Sequence, residues 1–94
     1  MFNKELVRST YKLANQKYFE EKYEKQFQSM VEKASCREKC IVFSQNECPF
    51  ELVKYLIEEL RFSMFGRIEK DKWETIFEVN KFEIEKYKEF KVCW

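Results

Sequence analysis

Four cysteines and a basic stripe near the N-terminus are the side chains whose types and spacing could do chemistry. Cys36, Cys40, Cys48 and Cys93 could together supply the four thiolates of a zinc site. Their spacing is C-x3-C-x7-C followed by a long gap. Zinc sites are read from paired C-x2-C steps, which are missing here. If residues 36–40 are extended, the Cα atoms of Cys36 and Cys40 lie roughly 13 Å apart, too far to share a metal. The expectation is four reduced thiols behaving as small hydrophobes, with no metal; zinc at those four positions and a redox or disulfide role are the weaker alternatives.

Other catalytic ingredients are scarce. The chain has no histidine, the usual acid–base group near neutral pH. A single glycine excludes a Gly-rich phosphate loop, and there is no Gly-x-Ser-x-Gly elbow. The carboxylate pairs Glu20/Glu24 and Glu58/Glu59 fall on helix faces expected to be solvated. The expectation is a non-enzymatic protein that needs no cofactor.

Binding chemistry is better represented. Lys4, Arg8 and Lys12 recur every four residues and so share one helix face. Within residues 1–19 only Glu5 opposes Lys4, Arg8, Lys12 and Lys17. Such a surface can meet phosphates or an acidic protein. Tyr11 and Tyr18 lie on the same stretch, so the candidate binding residues are Lys4, Arg8, Tyr11, Lys12 and Tyr18. Glu20, Glu21 and Glu24 then reverse the sign, which suits antiparallel pairing between copies. Among the strand aromatics Trp73, Phe77 and Trp94, glutamates alternate with the first two, which disfavours base stacking. With 18 basic and 17 acidic residues, the chain lacks the strong positive charge of a general nucleic-acid binder.

The elements that must position these residues follow from periodicity. Residues 3–34 contain neither Gly nor Pro. The stripe Val7, Tyr11, Ala14, Tyr18 continues through Phe19, Tyr23, Phe27, Met30 and Ala34, which predicts one amphipathic helix with Asn3 as its N-cap. It would be roughly 48 Å long, while a body of this chain length is roughly 30 Å across. Either the helix breaks near Asn15 or one end projects. Residues 39–44 read as a strand buried on both faces. Pro49 starts a helix running to about residue 62, with Phe50, Val53, Leu56, Ile57 and Leu60 inward. Met64 to Lys70 and Trp73 to Val79 read as a hairpin turning at Asp71-Lys72. Asn80 to Lys88 fits strand or helix, and Phe90, Val92 and Trp94 close the chain as a strand. The predicted fold is a single α+β domain over 1–94. Its long N-terminal helix and a second helix pack on one face of a small, mainly antiparallel sheet, in the order helix-strand-helix-strand-strand-strand.

Composition supports a folded chain. Hydrophobic residues make up 45% and charged residues 37%. No segment has the apolar length of a membrane span, and the first residues lack a signal-peptide core. The expected setting is intracellular.

Four pieces of the second half, Cys40–Ser44, Leu52–Leu60 with Tyr55-Leu56, Trp73–Val79 and Phe90–Trp94, form a layout. It resembles small, uncharacterised α+β proteins of phages and large DNA viruses. The resemblance covers roughly residues 30–94, with 80–88 as an addition to it. What it implies is a viral or prophage origin, and with that the host cytoplasm as the setting; it assigns no site residues. The functional expectation is an accessory protein that binds another protein, in one form inhibiting a host enzyme or defence complex. The alternatives are a particle assembly protein that self-associates through the first helix, and a small nucleic-acid binder.

Overall fold

Asn3 opens the first helix. Its side chain accepts a hydrogen bond from the Leu6 amide at 2.8 Å, the N-cap role predicted for it. In the computed structural model, which describes residues 2–69 and 71–94, α1 spans Lys4–Lys22 and α2 spans Glu24–Ser35. The single helix predicted over 3–34 is thus corrected. The chain kinks at Tyr23, with φ −115° and ψ 35°, rather than near Asn15. Hydrogen bonding crosses the kink: the Tyr23 amide reaches the Phe19 carbonyl at 2.9 Å, and the Tyr23 carbonyl accepts from Phe27 at 3.1 Å. Neither Gly nor Pro lies there. The Tyr23 ring is buried and its hydroxyl is tied to Glu51, so tertiary anchorage accompanies the distortion.

α2 ends in a left-handed cap. Arg37 has φ 67°, and the Glu38 amide returns to the Lys33 carbonyl at 3.0 Å. A side chain in this conformation carries a steric cost that glycine avoids. Arg37→Gly is expected to raise stability by about 0.5–1 kcal/mol, read as a higher urea midpoint with unchanged slope.

The sheet is antiparallel throughout, with strand order β1-β4-β2-β3. β1 is Cys40–Ser44, β2 Ser63–Arg67, β3 Glu74–Thr75 and β4 Glu89–Cys93. Phe90 and Val92 of β4 point into the core and are fully buried, with Met64 and Gly66 of β2 beside them. Between β1 and β2, α3 covers Phe50–Lys54 and continues into a π-helical turn, Tyr55–Glu59. A short α4, Lys81–Glu85, precedes β4 and is capped by Asn80. The fold is α+β, as predicted, with helices on one face of the sheet. The kink and α4 lengthen the predicted order to helix-helix-strand-helix-strand-strand-helix-strand.

Three strand expectations change. β1 is not buried on both faces: it is an edge strand, and Val42 on its open face is 45% exposed. The strand expected to run to Lys70 ends at Arg67, and Lys70 itself lies outside the described residues. The segment 73–79 pairs over two residues only, and Ile76 is buried while Phe77 is 85% exposed. Among the described residues no helix is long and apolar enough to cross a membrane.

Candidate functional site

α1 meets the body only along its second half. The Phe19 ring stacks on Tyr55 with centroids 4.1 Å apart. Around this contact, Glu51 of α3 gathers three donors. Tyr18 Oη donates to Oε1 at 2.7 Å, Tyr23 Oη to Oε2 at 2.6 Å, and Lys22 Nζ to Oε2 at 3.1 Å. Burial alone would push the Glu51 carboxyl up; the three donors outweigh it and hold the group below its ordinary value. Tyr23 is pushed up to about 12, by burial first and by the Glu51 bond second. Lys22 is held above its ordinary value by Tyr18 and then by Glu51.

Glu51 therefore links α1 to pH. A carboxyl lowered by folding stabilises fully above its ordinary pKa of 4.5, and this contribution is lost as pH falls below that through the folded value. Glu51→Gln is expected to cost about 1–2 kcal/mol at neutral pH, the range for bonds to a charged acceptor reduced for partial exposure. The gap between native and variant should close under acid conditions. Thermal unfolding on both sides of this titration checks it.

Beyond this anchor, α1 overhangs. Every residue from 2 to 14 is exposed, including Leu6 at 45%, Val7 at 61%, Tyr11 at 63% and Leu13 at 69%. The molecule measures 54 × 33 × 19 Å, and its radius of gyration of 14.6 Å exceeds the roughly 12 Å of a rounded chain this long. The positions Lys4, Arg8, Lys12, Asn15 and Phe19 step by four, four, three and four, so they form one continuous helix stripe. Its docked half is the half-buried Asn15 and buried Phe19; its overhanging half is basic. The structure thus keeps Lys4, Arg8, Tyr11 and Lys12 together on one side of the overhang. Tyr18 does not belong with them, because its hydroxyl is committed to the anchor.

Below the overhang lies an open cleft of about 200 Å³. Tyr11, Asn15 and Phe19 line one side, and Glu51, Lys54, Glu58 and Glu59 line the other. The cleft is aromatic where α1 covers it and mainly acidic where α3 and the π turn form its floor. Glu58 and Glu59, expected on a merely solvated face, are part of this floor. Phe2, Leu6 and Leu13 are exposed apolar residues that the reading for basic and aromatic side chains passed over. Their four-and-three spacing through Ser9 was the available signal.

The cysteines do not converge. Cys40 and Cys93 face each other across β1 and β4 and are joined as a disulfide, with Cα atoms 4.2 Å apart. This corrects the expectation of four reduced thiols and the four-cysteine zinc alternative. Cys36 is exposed and Cys48 is buried. Burial pushes the Cys48 thiol up to about 12, which leaves it a poor nucleophile. Among the described residues no three His, Cys, Asp or Glu side chains group as metal ligands.

The open face of the sheet holds a second aromatic group. The Trp73 ring lies 4.4 Å from the Arg67 guanidinium carbon and 4.8 Å from Lys91 Nζ, and Phe65 lies 5.2 Å from the same ammonium. Arg67 also binds Glu89 through two hydrogen bonds of 3.1 and 3.0 Å. Glu74, the glutamate next to Trp73, instead accepts from Tyr87 Oη on the helix-covered face. The interleaving that argued against stacking therefore puts this charge on the opposite side. Trp94 Nε1 donates to the Glu38 carbonyl at 3.2 Å.

Set beside family models, curated proteins and solved structures, the chain matches none of them.

Proposed function

We propose that this chain is a non-enzymatic accessory protein that docks an acidic surface of another protein on the Lys4, Arg8, Tyr11 and Lys12 side of α1. The observation that carries the reading is the uncovered overhang: an ordered, capped helix holds these four side chains exposed beyond the anchor. A helix in that position offers its partner a surface already formed, so less ordering cost falls on binding. A protein partner fits better than nucleic acid, because 18 basic against 17 acidic residues leave the chain without the strong positive charge of a nucleic-acid binder. The absence of histidine favours binding over catalysis. The resemblance to phage and large-DNA-virus proteins supports one form of the role, inhibition of a host enzyme or defence complex.

The test is affinity capture with wild type and the charge-reversed variant K4E/R8E/K12E. Both should show the same circular dichroism and melting. Proteins held by wild type at low salt should be released by high salt and missed by the variant. Equal capture by both would refute the assignment of this face.

A further inference from the structure

A different side of α1 carries a second signal. Phe2, Leu6, Ser9, Leu13, Gln16 and Glu20 alternate in steps of four and three, the spacing of a two-helix seam. All six are exposed. Past the kink, the same edge runs on into an open groove of about 680 Å³. Phe27 and Val31 give that groove apolar wall, and Glu20, Glu21, Glu24 and Glu32 also line it. The overhanging tip has the opposite character, apolar at Leu6 and Leu13 and basic around them.

We infer that the occupant of this groove is a second copy of the chain, with the two α1 helices antiparallel. Two observations select it. The apolar and basic tip complements an apolar groove lined by carboxylates. Tip and groove also lie at opposite ends of one seam, so a two-fold axis near its middle seats each tip in the other copy's groove at once. Such an isologous contact closes on itself and stops at a dimer. Along the helix, Leu6 and Val31 are separated by roughly 38 Å, which puts the axis between Gln16 and Glu20. The pairing takes its apolar contacts from Leu6 and Leu13, which the docking surface above does not use, while the positive charge of Lys4, Arg8 and Lys12 serves both.

Sedimentation of the full chain at submillimolar concentration tests it. Wild type should sediment with twice the monomer mass at low salt. L13E should weaken the dimer at least tenfold without changing the melting temperature, since Leu13 is exposed. Two singly substituted chains, L6C and V31C, each with Cys36→Ser, should cross-link when mixed and not when alone. A strict monomer would overturn the inference, as would a dimer insensitive to L13E. So would L6C cross-linking to itself as readily as to V31C, which would indicate parallel helices.

Discussion

Removing the Cys40–Cys93 link, by reduction or by Cys93→Ser, is expected to lower the stability of the chain by about 4 kcal/mol. The two residues are 53 apart in sequence, so the bond closes more than half the chain into a loop. For a loop of that length, the entropy withheld from the unfolded state corresponds to about 4 kcal/mol at 25 °C. A domain of this size has a total stability on the order of 5–15 kcal/mol, so a large share depends on one bond. Tm should fall by roughly 15–30 °C. Both cysteines are half-buried at the end of the β1–β4 ladder, and the Trp94 amide continues that ladder to the Lys39 carbonyl at 3.0 Å. Exchange of the β1 amides should therefore quicken more than exchange in β2. Thiol counting gives an independent check. In the folded oxidised chain only Cys36 should react quickly, Cys48 should need unfolding, and the remaining two should need a reductant. Equal urea midpoints for oxidised and reduced protein would contradict the expectation.

That disulfide marks the limit of what could be read in advance. Cysteine spacing along the chain says nothing about register across a sheet, and it is register that sets Cys40 opposite Cys93. The kink at Tyr23 was hidden for the same reason, since its partner Glu51 lies 28 residues away. Features decided within one or two turns were legible. Asn3 caps the helix it was read to cap, and Phe90 and Val92 alternate inward as their spacing said. The basic stripe needed only the helix period. Its exposure followed from a length comparison: the helix outran the body, and it overhangs even after kinking. Runs of apolar residues were ambiguous because a five-residue segment looks alike at an edge and in the middle of a sheet. Val42 illustrates this, and so do Ile76 and Phe77, neighbours of which the first is buried and the second is 85% exposed.

The single glycine was read only as excluding a phosphate loop, yet it fixes a close approach in the core. Gly66→Ala is expected to cost about 3 kcal/mol, at the upper end of overpacking effects. A Cβ at position 66 would lie 2.6 and 2.7 Å from Cδ1 and Cδ2 of Tyr87, inside any real carbon contact. Neither side can yield easily. Gly66 sits in β2 between Phe90 of β4 and Glu74 of β3. The Tyr87 hydroxyl donates to Glu74 at 3.0 Å, its ring meets Phe90 edge-on at 6.0 Å, and the next amide, Lys88, is bonded to the Arg67 carbonyl at 2.9 Å. The ring is thus held from its tip, its side and its backbone. Positive φ plays no part, so the requirement for glycine is one of space alone. This makes the sign of the effect conditional. In a Tyr87→Ala background the obstructing side chain is gone from Cγ outward, and alanine at position 66 should recover the roughly 0.5–1 kcal/mol by which glycine weakens a strand. Gly66→Ala should then be neutral or stabilising, and the double-mutant cycle should show a coupling of about 3 kcal/mol between the two positions. Urea unfolding of the oxidised chains measures all four corners. A cost for Gly66→Ala that persisted unchanged without the Tyr87 ring would place the strain elsewhere in β2.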